Sequence, residues 1–441
     1  MSAAADMVSF DGTETCRRAV ESPERYRELR ERLGRPGPHA VRGAGLSYAL
    51  ASAGDGAATI STRHFDRFLA HDPGRRQVTV EPGVTVGALV RWAVAHGTHF
   101  PVLPGHPSIT VGGCAGFNVH GKSQHDVGVF SDHVVGLTLI HPDHGELDCS
   151  RERNAALFDL TLGGMGLTGY IASLTLQLQP LPGPAVARTV HRVRDLVEAA
   201  EVMGSLAGGA HEGDALYSWH DLNRRGRGFG RGLVFVERFV DDDRPTRTTY
   251  RRLAPAPRRG LPLAGSRSVV SAVNLGFRAR ERLRPAGVRS VEDAAFPING
   301  SEVYYRLFGR PGFREYQLIA PAAAWPEVAH EVERLVRESD VPVTLGSLKL
   351  FAGEPHLLWF RADGVCLALD VPEGEGARRL FAALDELAVR HGCLVNLSKD
   401  SRVGAEVVRS VYPGYDEFRQ RLHEFDPHRR FDTMLRRRIG V

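Results

Sequence analysis

The most regular alternation of apolar and polar residues lies between Thr168 and Leu178, and it predicts a half-buried strand. Residues 75–81 and 134–141 predict two shorter strands in the same N-terminal third of the chain. Between them, Thr85 is placed to cap a helix that ends at Gly97. The apolar positions of the long strand are Tyr170, Ala172, Leu174, Leu176 and Leu178.

Three prolines at positions 180, 182 and 184 interrupt the chain, and we place a domain boundary there. Beyond them, strand and helix patterns follow in the order β-α-β-β-α-β. This order is typical of an antiparallel sheet backed by helices, so the fold class is predicted as α+β. The strands are predicted at residues 314–320, 341–351, 365–371 and 393–397, and the helices around residues 328–336 and 380–387.

One segment departs from these patterns. Between Arg244 and Arg289 there are twelve arginines but a single acidic residue, Glu281, and the apolar residues show little periodicity. A long insertion of this kind is typical of a mobile loop. Its arginines make it a candidate surface for an anionic phosphate or a membrane, and a solvated basic loop is the plainer alternative.

A length of 441 residues predicts two domains, and the apolar share of 42% and charged share of 24% are ordinary for a globular protein. No run of 18 apolar residues occurs, and the first twelve residues lack the pattern of a secretory leader. We therefore expect a cytoplasmic protein. Its five scattered cysteines match no disulfide framework or metal-ligand spacing, so no metal site is predicted.

The basic residues are unusually uneven in type. Only three of the 56 are lysines, namely Lys122, Lys349 and Lys399. Lysine is a compact cation whose pKa responds to burial, whereas arginine effectively never deprotonates. The three lysines are therefore candidate functional residues, with chance survival in an arginine-rich chain as the alternative.

Three glycine-rich segments lie in the first domain. They are VRGAGLSY at 41–48, the stretch from PVLPG at 101–105 through TVGGCAG at 110–116 to NVHGK at 118–122, and GGMGLTG at 163–169. Loops with few side chains let backbone N–H groups reach an anion, so these segments predict a diphosphate site. None is a GxGxxG motif that opens a helix, so a Rossmann fingerprint is excluded.

With RGAGLSY, PVLPGHPSITVGG, HGK and LGGMGLTG in this order, the chain resembles the FAD-binding domain of the vanillyl-alcohol oxidase / para-cresol methylhydroxylase superfamily. Within the superfamily it is similar to the sugar-oxidising flavoprotein subunits of arabinose-forming epimerases. The segments NVHGKSQHDVGVFSDHV, REYQLIAP, LKLF, NLSKDSR and FDPHRRF carry the closer match. The resemblance covers nearly the whole chain and is weakest at about 244–289.

The resemblance implies an FAD-binding domain of two αβ subdomains, formed by residues 1–182 and completed by residues 394–441. A substrate domain, with an antiparallel sheet backed by helices, would occupy residues 183–393 and include the basic insertion at about 244–289. The implied activity is the oxidation of a secondary hydroxyl of a sugar or sugar-like substrate to a ketone, by hydride transfer to flavin N5, as the first half of an epimerisation. The alternatives are an aldonolactone or alditol oxidase that uses dioxygen, an alcohol oxidase of a specialised metabolite such as a nucleoside or aminoglycoside, and a flavin-loaded binding subunit without turnover.

The resemblance also implies roles for particular residues. Lys399 and His120 would be catalytic, and Lys349, Gln317 and Trp219 would line the substrate cavity. Lys399 would act either as a base or as a charge that stabilises an alkoxide, and both roles stay open. The residues expected to bind FAD are Arg42, Gly43, Ala44, Gly45, Leu46, Ser47, Tyr48, Pro104, Gly105, Thr110, Gly112, Gly113, Asn118, Gly121, Gly164, Thr168, Gly169, Ile171 and Asn396.

Some positions depart from the superfamily pattern. Leu46 stands where covalent members carry a histidine, and no cysteine replaces it near Ser108, so we expect noncovalent FAD. Asn396 and Glu315 stand where the most similar members carry an aromatic residue and an amide. Both positions belong to the expected substrate side, so the identity of the sugar stays open.

The expected partners follow from the same reasoning. They are an alcohol substrate, an NAD(P)H-dependent reductase that would complete an epimerisation, and a peripheral membrane contact through the basic insertion. The insertion lacks a pattern of interleaved aromatic residues, so no nucleic-acid partner is predicted.

Overall fold

The computed structural model describes residues 5–209, 214–226, 228–242, 261–283, 287–296 and 302–441. Its strands are β1 Ala5–Val8, β2 Thr15–Arg18, β3 Val20–Glu21, β4 His39–Arg42, β5 Ala58–Ser61, β6 Phe68–Asp72, β7 Gln77–Val80, β8 Thr98–His99, β9 Val134–His141, β10 Gly145–Ser150, β11 Tyr170–Gln177, β12 Gln179–Pro180, β13 Ala185–Val193, β14 Ala215–His220, β15 Gly232–Val240, β16 Gly287–Ser290, β17 Phe313–Pro321, β18 Leu345–Phe351, β19 Gly364–Pro372 and β20 Leu394–Val395. Its helices are α1 Tyr26–Leu33, α2 Val86–Ala95, α3 Val111–Phe117, α4 Gln124–Val127, α5 Ala155–Thr161, α6 Leu196–Ala207, α7 Arg267–Leu283, α8 Val291–Ala295, α9 Glu302–Arg306, α10 Trp325–Ser339, α11 Glu375–His391, α12 Ala405–Val411, α13 Tyr415–Phe425 and α14 Met434–Ile439.

Two sheets form the N-terminal part of the protein. Strands β3, β5 and β4 make a small parallel sheet, in which β5 is central. Strands β10, β9, β11, β7 and β6 make an antiparallel sheet in that order. The alternating strand predicted at residues 168–178 is β11, the central strand of this second sheet, and its apolar side chains are buried. Helix α2 begins after Thr85, whose hydroxyl accepts a hydrogen bond from the Ala88 N–H at 3.2 Å, as predicted.

The second half of the chain is dominated by one antiparallel sheet of eight strands. Their order is β16, β13, β15, β14, β18, β19, β17 and β20. The predicted β-α-β-β-α-β order is confirmed as β17, α10, β18, β19, α11 and β20. The sequence predicts these two strands at residues 341–351 and 393–397. In the structure β18 begins at Leu345 and β20 ends at Val395, so both strands are shorter than predicted.

The two faces of this sheet differ in polarity. On one face, Leu318, Leu348 and Leu369 pack into a core cluster with the apolar stripes of α6, α10 and α11. On the other face, Glu315 lies directly opposite Asp370, and Lys349 lies directly opposite Cys366. Because side chains alternate between the faces of a strand, one apolar face leaves the other free to carry polar groups.

The C-terminal segment returns to the N-terminal sheets. Phe431 forms a parallel bridge with His39 of β4, and the Met434 N–H donates to the Ala53 carbonyl at 2.8 Å. The segment therefore links the end of the eight-stranded sheet to the region of the first glycine-rich loop. The domain boundaries at about 182 and 394 stay a prediction.

The prediction of a loop at 244–289 is wrong for residues 267–283, which form helix α7. Its inward positions include the polar residues Asn274 and Glu281, so the apolar period that marks most helices is weak. Both find partners: Asn274 donates to Asp221 at 2.9 Å, and Arg188 donates to Glu281 at 2.6 Å. Residues 243–260 and 284–286 lie outside the described residues. Among the helices that are described, none is long and apolar enough to cross a membrane.

The apolar face of the large sheet yields a stability prediction. Leu369 is fully buried on β19, so Leu369→Ala should lower the free energy of unfolding by about 2–5 kcal/mol through lost burial and a cavity. Val389→Ala, at an exposed position of α11, should change it by less than about 0.5 kcal/mol. Urea unfolding followed by far-UV circular dichroism measures both. Equal losses in the two variants would contradict this assignment of the core.

Candidate active site

The first two glycine-rich segments are in contact. Gly43 approaches Thr110 so closely that a Cβ atom on Gly43 would overlap the Thr110 hydroxyl. The same hydroxyl caps α3 by accepting a hydrogen bond from the Gly113 N–H at 3.3 Å. Gly112 is equally confined, since a Cβ atom there would lie 2.7 Å from the Pro82 Cβ. Glycine is thus required by close packing at 43 and 112.

The third glycine-rich segment joins the second through α3. The Gly163 N–H donates to the Ala115 carbonyl at 2.8 Å, and the Met165 N–H donates to the Gly116 carbonyl at 2.6 Å. The three segments, which lie far apart in sequence, are therefore in contact with one another.

The first loop offers free hydrogen-bond donors. Among the described residues, no acceptor lies within hydrogen-bond distance of the backbone N–H groups of residues 43–47. Beside them, a cavity of about 980 Å³ lies where the parallel strands end, at Glu21, Arg42 and Ser61. Ligands commonly bind outside the carboxyl ends of parallel strands, and successive free amides suit a diphosphate. The loop therefore fits the diphosphate group of FAD.

A buried amide at the C-terminal end of α3 lacks a complete set of partners. The Asn118 side chain is 2% exposed, and its Oδ1 accepts a hydrogen bond from the Ser131 N–H at 2.8 Å. Its Nδ2 group has no acceptor among the described residues. Since unsatisfied buried donors are costly, an acceptor on a bound cofactor would stabilise this arrangement.

The loop that carries Lys399 is tied to the first glycine loop. The Tyr48 N–H donates to the Ser398 carbonyl at 3.1 Å. The Ser398 N–H in turn donates to Asn396 Oδ1 at 3.0 Å, and Asn396 Nδ2 donates to Gln317 Oε1 at 2.7 Å. One chain of hydrogen bonds thus connects the predicted cofactor loop with the polar face of the large sheet.

Lys399 lies between an anion and an aromatic ring. Its Nζ atom is 3.4 Å from Glu315 Oε2 and 3.8 Å from the centre of the Tyr48 ring. The lysine side chain is 28% exposed, whereas the Glu315 side chain is 7% exposed. Both neighbours make favourable electrostatic contacts with the lysine ammonium group.

Two carboxyl groups meet beside Lys399. Glu315 and Asp370 occupy directly opposite positions on β17 and β19, and both are buried. The Tyr304 hydroxyl donates to Asp370 Oδ2 at 2.7 Å. Burial, followed by the charge of Glu315, raises the pKa of Asp370 well above its ordinary value. Two buried carboxyl groups on directly opposite residues disfavour the charging of both at once.

His120 lies in an aromatic pocket on the other side of the site. Its ring is 4.8 Å from the Phe351 ring and 5.6 Å from the Phe360 ring, measured between centres. Burial lowers the pKa of His120 well below its ordinary value, and the nearby charges of Lys349 and Lys399 lower it further. His120 is therefore a neutral imidazole at physiological pH.

Lys349 differs from Lys399 in having no anionic neighbour in direct contact. It is half-buried on β18, and no described residue forms a hydrogen bond or ion pair with its amine. Burial lowers the pKa of Lys349, and across the strand burial raises the pKa of the Cys366 thiol to about 12. The residue opposite Lys349 is therefore an uncharged thiol.

Sequence reasoning missed several groups of this site. His106 lies near Lys399; its Nδ1 accepts a hydrogen bond from the Ser108 N–H at 3.1 Å, and its buried Nε2 has no partner among the described residues. Burial, with the charge of Lys399, lowers the pKa of His106 to about 4. Asp370 and Tyr304 were also missed. The alternation that places Glu315 and Gln317 on one face could have identified Asp370, but no local pattern indicates Tyr304 or His106.

Other predicted residues lie outside this polar cluster. Trp219 is buried against Phe277 of α7, with 4.8 Å between ring centres, and packs with Leu233 and Phe235. Its role as a cavity wall stays a prediction. Lys122 donates to Glu237 at 3.0 Å and to the Ala294 carbonyl at 2.6 Å, which is a complete structural role for that lysine.

Three further predicted FAD contacts, Thr168, Ile171 and Gly121, lie in or near the second and third segments. Thr168 is buried and donates to the Thr161 hydroxyl at 3.0 Å, Ile171 is buried on β11, and Gly121 packs against the Leu103 backbone. Their roles in cofactor binding stay predictions.

The packing of the glycine loops predicts the effect of adding a side chain. Gly43→Val should abolish FAD binding, because the added atoms overlap the Thr110 hydroxyl and displace the loop. Gly204→Ala, at an open position of α6, should leave the FAD content unchanged. The ratio of absorbance at the flavin band to that of protein measures the content. A Gly43→Val variant with full flavin content would contradict the proposed cradle.

The depressed pKa of His106 predicts a pH dependence of stability. The unfolded chain takes up a proton on this residue below about pH 6.5, whereas the folded protein does so only near pH 4. The contribution of His106 to the free energy of unfolding is therefore complete above pH 6.5. As the pH falls towards 4 this contribution is lost, and the free energy of unfolding decreases by up to about 1.4 kcal/mol per pH unit. His106→Asn keeps an acceptor for the Ser108 N–H and should flatten this slope. Unfolding free energies measured between pH 4 and 7 test it, and identical slopes would refute it.

The chain is similar in sequence to several known proteins. A family described as FAD binding domain matches residues 24–150. The chain is 30% identical to an uncharacterised protein in the mprA 5′ region of Streptomyces coelicolor, over 81% of this chain and 100% of that protein. It is 28% identical to decaprenylphosphoryl-beta-D-ribose oxidase of Mycolicibacterium smegmatis, over 91% of this chain and 89% of that protein. It is also 34% identical to mouse L-gulonolactone oxidase over 26% of each chain. The chain therefore belongs to the FAD-linked oxidases of the vanillyl-alcohol oxidase / para-cresol methylhydroxylase superfamily and is an FAD-dependent oxidoreductase.

Proposed function

We propose that this enzyme oxidises a secondary hydroxyl of a sugar or sugar-like substrate to a ketone. The observation that carries the proposal is the hydrogen bond between the Tyr48 N–H and the Ser398 carbonyl, at 3.1 Å. This bond brings the amide-rich loop and the lysine-bearing loop to one place. No protein side chain accepts a hydride, and bound FAD supplies that chemistry.

The chain's own residues would bind and orient both ligands. The free amides of residues 43–47 and the segment 105–113 would hold the diphosphate, and Asn118 Nδ2 would donate to the cofactor. The Lys399 ammonium would stabilise negative charge that develops on the substrate oxygen. A neutral His120 would donate to or accept from a substrate hydroxyl without adding charge.

The donor set on the sheet face suits a polyol. Gln317, Asn396, Tyr304 and the carboxyl pair offer both donors and acceptors within one buried cluster. Several hydroxyl groups can be satisfied by such a mixture, whereas an apolar alcohol would leave these groups unpaired. The names of two relatives, a decaprenylphosphoryl-ribose oxidase and a gulonolactone oxidase, support a sugar-like substrate.

Anaerobic flavin reduction tests the proposal. Purified yellow protein is mixed, without oxygen, with prenyl-phosphate sugars, nucleosides, aminoglycosides, aldonolactones and free polyols. Loss of the flavin band with one class identifies the substrate, and Lys399→Met should slow the bleaching by about 10²–10³-fold. Protein that stays colourless and cannot be reconstituted with FAD would end the proposal.

A second candidate is an aldonolactone or alditol oxidase that uses dioxygen. The match to L-gulonolactone oxidase, which covers 26% of this chain, favours it. Peroxide released in proportion to substrate under air would support this candidate. Turnover only with a quinone or dye would instead support a dehydrogenase, coupled to an NAD(P)H-dependent reductase if epimerisation follows.

A peripheral membrane contact is a further part of the proposal. Leu275 of α7 is 61% exposed, and Leu261 and Leu283 at either end of the helix region are 73% and 84% exposed. Arginines flank these residues, and exposed apolar side chains with flanking cations suit an anionic bilayer surface.

Noncovalent attachment of FAD is proposed because Leu46 offers no nucleophile to the flavin. Acid precipitation should therefore release all of the flavin into the supernatant, where its absorbance and chromatographic mobility match free FAD. A yellow pellet with flavin that remains on the denatured chain would show a covalent bond instead.

A further inference from the structure

We propose that Lys349 is the base that accepts the hydroxyl proton of the alcohol, while Lys399 remains an ammonium group throughout. The inference rests on the proposed alcohol oxidation. The sequence leaves two roles open for Lys399, a base and a stabilising charge, and the inference assigns the role of base to Lys349. It is carried by the different surroundings of the two amines.

Lys399 has the surroundings of a permanent cation. Its amine contacts the Glu315 carboxylate at 3.4 Å and the face of the Tyr48 ring at 3.8 Å. Removing its proton would leave Glu315 without its counter-ion beside a second carboxyl group, Asp370. A group held in this way stabilises charge well but accepts a proton poorly.

Lys349 has the surroundings of a neutral amine. Its cross-strand partner is Cys366, a buried thiol, and no described residue accepts a hydrogen bond from its Nζ atom. The charges of Lys399 and Lys122 lie near enough to disfavour a third ammonium group. Burial acts in the same direction and lowers the pKa of Lys349. An amine with a lowered pKa and no hydrogen-bond partner among the described residues can act as a general base.

Groups from each neighbouring element face this amine. On the neighbouring strand β14, His220 pairs with Gly346 of β18, and Tyr217 lies three positions before His220. The Tyr217 hydroxyl already donates a hydrogen bond to Glu237 at 2.9 Å. Glu315 is an acid whose charge acts on Lys349, and Lys399 forms an ion pair with it. The titratable or charged groups around Lys349 are Cys366, Glu315, Lys399, Lys122, His120 and Tyr217.

The step is balanced by groups already assigned to the enzyme. The substrate O–H bond breaks and its proton forms an N–H bond with the Lys349 amine. The carbinol C–H bond breaks with its electron pair, the C=O bond forms, and the hydride goes to FAD, the cofactor of the family. Lys399 offsets the negative charge on the oxygen as the proton leaves. The Lys349 ammonium then returns its proton to solvent after product release.

Lysine titration tests the amine itself, without any substrate. The protein contains three lysines, so FAD-loaded enzyme labelled with ¹³C at lysine Cε gives three assignable NMR signals. The signal that disappears from the spectrum of the Lys349→Met variant is the signal of Lys349. We expect this signal to titrate clearly below 10.5, the ordinary lysine value. Titration at 10.5 or above overturns the proposal, whatever the enzyme's substrate is.

Kinetics then test the role in proton transfer. The anaerobic flavin reduction rate should rise with pH as Lys349 loses its proton. Lys349→Met should lower this rate by about 10²–10⁴-fold and abolish the rise, whereas Lys399→Met should lower the rate but keep the rise. Small primary amines such as ethylamine should restore activity to Lys349→Ala and not to Lys399→Ala. Flavin content and thermal midpoint of each variant serve as checks on folding.

Two failures are distinguishable. If no alcohol reduces the flavin of the wild-type enzyme, the proposed function fails, while the NMR titration still decides the protonation state of Lys349. If the wild-type enzyme turns over but Lys349→Met retains the pH-dependent rise, or amines rescue only Lys399→Ala, then Lys349 is not the base.

Discussion

The hydrogen bond from the Tyr48 N–H to the Ser398 carbonyl is the contact on which the site depends. It joins residues 350 positions apart in sequence and fixes the amide-rich loop next to the lysine-bearing loop. The same contact sets Lys399 over the Tyr48 ring and within reach of Glu315. Without it, the free amides and the polar sheet face would lie in separate parts of the structure. The flavin and the alcohol would then not be held in a reactive arrangement.

The polar face of the large sheet is unusual because it buries several ionisable groups together. Buried charges are costly unless they are paired; here Lys399 pairs with Glu315, and burial raises the pKa of Asp370. The apolar opposite face, packed on three helices, stabilises the sheet that carries them. A rigid strand therefore holds Lys349 at a position where none of the described side chains neutralises it, which a flexible loop would not achieve.

Much of the fold could be predicted from local patterns. Strand β11 follows from simple alternation, and the β-α-β-β-α-β order follows from alternating strand and helix periods. Helix α7 could not be predicted in this way, since Asn274 and Glu281 occupy its inward positions and depend on distant partners. For the candidate site, residue scarcity indicated three lysines, and only their contacts separate the structural Lys122 from the other two, whose roles stay predictions.

The sequence by itself determined the secondary-structure periods, the side-chain-poor loops and the positions of the few lysines, because these depend on residue type and spacing alone. Tertiary structure decided which of these groups are charged and which meet. The pKa of Asp370, the neutrality of His120 and the isolation of the Lys349 amine arise from burial and from neighbours remote in sequence. Electrostatic energies depend on distance and solvent exposure in space, and no local pattern along the chain contains either quantity.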